Sequence, residues 1–596
     1  MSQRKSPHSF YIPVMGTGFT IDTPLLVAKY GISSVISLVD DVLIEQVHRY
    51  WCNHYNESYT SINDDDPNPR ATRITNYLNF VEKIVDRQII ELRESKFAGN
   101  SEIEKYLEML PNENELSKLY YQMENEVDLN RKLELQDRLR KQIVAGRIDV
   151  NIMTKLDVER PESHPNLSCG YSDAISALCG FANSNLGSSV VLSAGFNPKL
   201  YGYLTKFRDF FPDQNNELKK KICLKVSDYH SALVQGKYLA KKGIWVSEYR
   251  VESALNCGGH AFVNDGYLLG PILEEFKENR EKLQIELHEI YSRALGGRDI
   301  HLIAPQDIVI TAQGGVGTNL EHSLLINKYG LNGVGWGSPF LLVPEVTNVD
   351  DLTLQKLIAA KEDEIYLSTS SPLDVPFWNL KNSPSEERRV HRIMDKNPGS
   401  PCTKGYTRFN REFTTEPICM ASKRYQQLKL KELNDSGLPK GQLEILKNHV
   451  LSKSCICHEL GGGVLEKRNL DKNIAPAICP GPNIINFKKI FSLREMVDHI
   501  YGRCSVLASS KRPHFFIKEL QLQIASLINE IKITSLGGPG RSQKKLAEVK
   551  NNLCAGIEYY RSITKDLIKE QQEIFLKSLD ELRKEIDGIV LDRVSV

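Results

Sequence analysis

The 596-residue sequence has no apolar run approaching the roughly 18–20 residues needed to span a bilayer, and its opening segment, Met1 to Ser9, is polar and basic. A soluble, cytoplasmic protein without a membrane partner is expected. Net charge is also missing, because 76 basic residues nearly cancel 75 acidic ones. No chain-wide attraction to nucleic acid follows, and no nucleic-acid partner is expected. No Gly-x-Gly-x-x-Gly follows a predicted strand, so nothing marks a site for direct dinucleotide use. The twelve cysteines include no Cys-x-x-Cys pair. Without an export signal they read as thiols, metal ligands or catalytic groups rather than as a disulfide framework.

The chain is longer than one hydrophobic core usually supports, which predicts a large domain with substantial additions. Short apolar runs rich in β-branched residues recur at Ile12 to Met15, Ser34 to Leu38, Ile148 to Met153, Ser189 to Ser193, Ile222 to Ser227, Gly243 to Ser247, Asp307 to Thr311 and Leu331 to Gly335. Helical patterns separate them. Eight strands alternating with helices predict an α/β fold, a (β/α)8 TIM barrel over residues 10–380. Charged helical periods over about 52–146 predict a long helical insertion after the second strand. Residues 381–596 read as a mainly α-helical, cysteine-containing C-terminal domain, with Gly537-Gly-Pro-Gly540 as a turn between helices.

The strongest local signal is Ile308-Val-Ile-Thr-Ala-Gln-Gly-Gly-Val-Gly-Thr318, followed by a helix and then Gly333-Val-Gly-Trp-Gly-Ser-Pro-Phe340. Loops after the seventh and eighth strands of such barrels commonly bind phosphate through backbone amides. Glycine allows the close backbone approach that this requires. Gln313, Gly314, Gly315 and Gly317 are predicted on one side of the phosphate, and Gly335, Gly337 and Ser338 on the other.

These two loops resemble those of the nitronate monooxygenase (2-nitropropane dioxygenase-like) flavoproteins, in which they surround FMN phosphate. Pro13-Val-Met-Gly16 is similar to that family's opening loop under the flavin, which makes Met15 and Gly16 candidate contacts. Asp149-Val-Asn-Ile152 is similar to its third strand and implicates Asn151. Asn256-Cys-Gly-Gly-His260 resembles its Gly-Gly-His loop and adds Gly258 and Gly259. The same loop occurs in the trans-acting enoyl reductases of polyunsaturated fatty acid and polyketide synthases. The resemblance covers roughly residues 10 to 345 without the insertion. It implies FMN as cofactor and an oxidoreductase of either type, acting on a small-molecule or acyl-chain substrate.

His260 is the candidate acid/base, since an imidazole titrates near working pH. Cys257 departs from the family, which commonly has an aliphatic residue there; it is an acid, a flavin contact or inert packing. Lys225, near the end of the fifth strand, is placed to stabilise negative charge on a reduced flavin. Cys402, Cys419, Cys455, Cys457 and Cys479 fall within about eighty residues, a density compatible with an iron–sulfur cluster or zinc as well as with ordinary packed thiols. The helical C-terminal domain offers a surface for a protein partner. The alternative to an enzyme is a flavin- or phosphate-binding scaffold whose helical additions do the binding.

Overall fold

In the computed structural model the described residues are 6–159, 172–193, 195–261, 265–535 and 541–591. The Gly537 to Gly540 turn and residues 262–264 of the Gly-Gly-His loop lie outside them. Eight parallel strands close into a barrel: β1 Phe10–Ile12, β2 Ser33–Ser37, β3 Ile148–Met153, β4 Ser189–Ser193, β5 Lys221–Val226, β6 Val246–Glu252, β7 Val309–Gln313 and β8 Gly333–Gly335. Closure is made where β8 pairs with β1, Phe10 opposite Val334 and Tyr11 opposite Gly335. The strands are buried almost throughout because helices cover them outside and side chains fill them inside.

Two strands differ most from their sequence readings: the run Ile12 to Met15 meets β1, Phe10–Ile12, only at Ile12, and β6 is the other. The run Gly243 to Ser247 left Glu248 and Arg250 beyond the sixth strand, whereas β6 extends through both to Glu252. Charged residues at alternating positions hid the strand, yet inside the barrel they neutralise each other. Arg250 Nε and Nη2 donate to Glu248 Oε1 at 2.9 and 2.7 Å, Thr311 Oγ1 donates to the same oxygen at 2.7 Å, and the guanidinium lies 4.2 Å from the Tyr11 ring centroid. Despite its burial, Glu248 is held down to about 2 by the charges of Arg250 and Arg147. Buried charges persist only when paired and hydrogen-bonded in this way.

The two-residue period of a strand connects this interior to the barrel mouth. Val35, Asp149, Val191, Cys223, Arg250 and Thr311 are buried on their strands. Two residues further along stand Ser37, Asn151, Ser193, Lys225, Glu252 and Gln313, a polar ring at the C-terminal ends of six strands.

Between β2 and β3 lie helices Asp41–His54, Pro69–Glu94, Glu102–Met109, Glu115–Glu124 and Leu129–Gln142. The longest, Pro69–Glu94, turns Ile74, Tyr77, Leu78, Val81, Ile84 and Val85 inward and fits against the helix Asp173–Asn183, where Gly180 abuts Ala71 and Ile74. It therefore belongs to the outer ring of the barrel. Its Arg73 joins Asp41, Glu45 and Asp64 at 2.9, 2.6 and 2.7 Å.

Beyond β8 the chain makes an antiparallel hairpin, β9 Ile365–Ser368 and β10 Phe377–Leu380. Its connection reaches the barrel mouth: Ala261 N donates to Pro376 O at 2.8 Å and Trp378 Nε1 to Ala254 O at 2.9 Å. Helices Phe515–Ser535, Gln543–Ser562 and Lys569–Asp587 pack together near the end, the last one burying Phe575, Leu579, Leu582 and Ile586. The region after residue 380 is thus mainly helical, and parts of it around Thr407 and Ile456 to Leu460 join the hairpin connection in roofing the barrel.

Candidate active site

The loop after β6 is held at the centre of the mouth by backbone geometry. Gly258 has φ +80°, and a Cβ there would lie 2.1 Å from Met15 Cα, so only glycine lets the two loops cross. Gly258 donates to Cys479 O at 3.0 Å, and its own carbonyl accepts the Gly16 amide. The fold thereby brings Met15, Gly16, Gly258 and Gly259 together, as expected, and adds the Cys479-Pro-Gly-Pro482 segment from more than two hundred residues away.

Two cavities meet across Asn256 and Cys257. The larger encloses about 800 Å³, open solvent at its mouth included, and is lined by Gly16, Asn151, Lys225, Cys257, Gly258, Gly259 and His260. Its roof is Ser371, Pro372, Phe377, Thr407, Cys457 and Leu460. The smaller encloses about 300 Å³ between the two glycine loops, with Gln313, Gly314, Gly315, Gly335, Gly337 and Ser338 around it.

Polar atoms in these cavities lack partners. Asn151 Oδ1, Asn256 Oδ1 and Thr17 Oγ1 are buried without a hydrogen bond among the described residues. The backbone N–H groups of Gly315, Val316 and Gly337 likewise find no acceptor there. Burying side-chain oxygens unpaired is costly and the open amides offer donors, so a ligand with complementary donors and acceptors fits the site. A Cβ on Gly337 would lie 2.3 Å from Cys257 Sγ, so the narrow end of the cradle depends on its absence. FMN fits these features, with amides for its phosphate and amide oxygens for its ring edge. Gly317, expected beside the phosphate, is turned away instead: its N–H donates to Glu321 Oε2 at 2.9 Å.

Glu252, absent from the sequence expectations, organises the polar ring. Its Oε1 receives Lys225 Nζ at 2.6 Å, Asn256 Nδ2 at 2.6 Å and Gln313 Nε2 at 2.7 Å. The two-residue period from Glu248 would have found it had the strand been recognised. Asn483, which donates to Val316 O at 2.9 Å, closes the cradle, and Ser371 approaches His260; neither carries a local signal in sequence.

His260 Nε2 stands 2.5 Å from Ser371 Oγ. Burial lowers the imidazole to about 4, and the positive charges of Lys155 and Lys225 act in the same direction. It is therefore neutral at ordinary pH and titrates well below the near-neutral range expected of it. Cys257 is different: burial pushes its thiol far above the ordinary range, so it is a neutral packing group rather than a thiolate.

The metal expectation is corrected. Among the described residues no group of three or more His, Cys, Asp or Glu side chains is arranged to hold a metal ion. Cys479 is drawn away to the Gly258 loop, where its Sγ contacts Gly259 O at 3.3 Å, and burial raises it to about 12. Cys402, Cys419, Cys455 and Cys457 are free thiols in another part of the roof. Cys179, in contrast, is disulfide-bonded, which the reading of the cysteines as thiols, metal ligands or catalytic groups does not include.

No family model and no curated protein matches this chain. Among solved structures it is similar to FabK from Thermotoga maritima, at 12% identity over 68% of this chain and 85% of that one, with a TM-score of 0.28. The enoyl reductase domain of MlnA from the macrolactin biosynthesis cluster of Bacillus amyloliquefaciens matches at 14% identity over 70% and 93%, TM-score 0.33. Nitroalkane oxidase from Streptomyces ansochromogenes matches at 10% over 78% and 98%, TM-score 0.28. No helix among the described residues is long and apolar enough to cross a membrane.

Proposed function

We propose that this chain is an FMN-dependent oxidoreductase of the nitronate monooxygenase and enoyl reductase class, acting on a small or acyl-chain substrate with an acidified or conjugated carbon. The observation that carries this reading is the pairing of two adjoining cavities, one ringed by unpartnered backbone amides and the other by unpartnered amide and hydroxyl oxygens. When bound, FMN supplies the two-electron chemistry. Gly315, Val316, Gly337 and Ser338 would hold its phosphate, and Asn151, Asn256 and Lys225 its ring.

His260 is the acid/base in this reading. A neutral imidazole beside the cavity can take a proton from a carbon already acidified by a nitro or thioester group, and the Ser371 hydroxyl orients it. The roof from residues 371–377 and 456–460 excludes water from that transfer.

The test is the visible spectrum of the purified protein, with the released cofactor identified by mass. Flavin bands and stoichiometric FMN support the enzyme. A colourless protein that cannot be reconstituted with FMN supports the non-catalytic scaffold instead. The barrel and C-terminal boundaries near residue 380, and a cytoplasmic location, are parts of the same proposal.

A further inference from the structure

Four of the thiols that do not make a metal site lie close to one another in the roof. Cys455 and Cys457, two residues apart, are buried in one cluster close enough to affect each other's acidity, and Cys402 and Cys419 are near enough to interact with them electrostatically. Residues two apart on a regular helix point to different sides, but Cys455 caps the helix Ile456–Glu459 with φ −81° and ψ 52°. This non-helical turn sets both thiols in one apolar cluster with Val39 and Tyr406, against Met153 and Leu156. Val39, Met153, Leu156 and Cys457 also line the larger cavity. Cys402 is exposed.

We propose that Cys455 and Cys457 form a redox-active dithiol/disulfide couple that delivers electrons from an external dithiol to the flavin site, with Cys402 as the exchange thiol at the surface. The electron acceptor rests on the FMN reading above; the couple itself does not. Oxidation of the two thiols to one disulfide releases two electrons and two protons, which convert oxidised FMN to its dihydro form. For recharging, the Cys402 thiolate attacks Cys455 Sγ, forming a Cys402–Cys455 disulfide and releasing Cys457. One thiolate of the external dithiol then attacks Cys402 Sγ and expels Cys455. Its second thiolate closes the external disulfide and frees Cys402.

The thiols differ in acidity, and Cys402, like Cys457, is held above its ordinary value, chiefly by burial and by the neighbouring thiols. The neighbouring Cys457 thiol holds Cys455 below its ordinary value, whereas that of Cys455, together with burial, holds Cys457 well above. Cys455 is thus the thiolate-forming member at the centre of the exchange. Cys457 is the member that faces the cavity.

Two readouts on the full-length protein with its bound flavin test the proposal. In the first, protein poised anaerobically in graded thiol/disulfide buffers is trapped by alkylation and mapped by peptide mass. Cys455 and Cys457 should leave the alkylatable pool together, as one disulfide. Their persistence as thiols at every poise overturns the proposal.

In the second, flavin bleaching by dithiothreitol is followed without oxygen. C455S and C457S should slow it by about 10-fold or more, C402S should slow it as well, and C504S, at an exposed thiol far along the chain, should not. C455A should repeat the C455S result, separating loss of the thiol from disturbed packing. Bleaching at the wild-type rate in C455S overturns the proposed route. If the protein carries no flavin, the first readout still decides the couple, and only the acceptor falls with the FMN reading.

Discussion

Substituting Gly337 is the sharpest probe of the phosphate cradle. In Gly337→Ala the new methyl would lie 2.3 Å from Cys257 Sγ, so one of the two loops must move. The N–H groups of Gly337 and Ser338 move with it, and hydrogen bonds to a charged phosphate are worth about 1.5–3 kcal/mol each. Losing two weakens FMN by about 3–6 kcal/mol, or about 10²- to 10⁴-fold in Kd. The assay is fluorescence titration of apoprotein with FMN and, in parallel, with riboflavin, which has the ring but no phosphate. Wild type should prefer FMN by a similar factor, and Gly337→Ala should lose that preference while binding riboflavin nearly as before. Adding Cys257→Ala removes the clashing sulfur and should restore much of the FMN affinity. Equal binding of FMN and riboflavin by wild type would refute the cradle, and so would unchanged FMN affinity in Gly337→Ala.

Other outcomes follow from the site and the core. With His260 lowered to about 4, activity requiring its neutral form should be present above that pH and lost as pH falls through about 4, so an acid limb near 6.5 in the pH–rate profile would exclude it as the base. His260→Gln should lower kcat by about 10²- to 10⁴-fold with little change in FMN affinity. Lys225→Met, which removes the cation held by Glu252, should reduce turnover by roughly 10- to 100-fold, read by steady-state kinetics; wild-type turnover would remove Lys225 from the reaction. Stability should also respond to acid. His8, His48, His322 and His514 are each lowered by burial from 6.5 to about 4, so the unfolded chain takes up their protons first. Their contribution is fully present above pH 6.5 and is lost between 6.5 and 4, on the order of 1–3 kcal/mol per histidine. Thermal unfolding midpoints that stay level from pH 7 to 4.5 would contradict this.

Local sequence determined the barrel because each of its strands is a contiguous run whose signal lies within a few residues. β3 and β4 coincide with the runs read from sequence, and the glycine loops after β7 and β8 mark their ends by a backbone requirement that only glycine meets. The same locality made Asn151, Lys225, Gly258 and His260 stand out as candidates, since each lies near the end of a strand or in a short motif. β6 was only half legible because Glu248 and Arg250 contradict the apolar rule for a strand; their partners Asp149, Tyr11 and Thr311 come from three other strands and are adjacent only after the barrel closes. Tertiary structure alone decided the roof. Ser371 beside His260, Asn483 on the cradle, Cys479 at the Gly258 amide and Cys457 at the cavity wall come from 111 to more than 200 residues away from the groups they meet or from the strands beneath them. Neither periodicity nor spacing records such contacts, because what selects them is the shape of a surface that exists only once the barrel has formed.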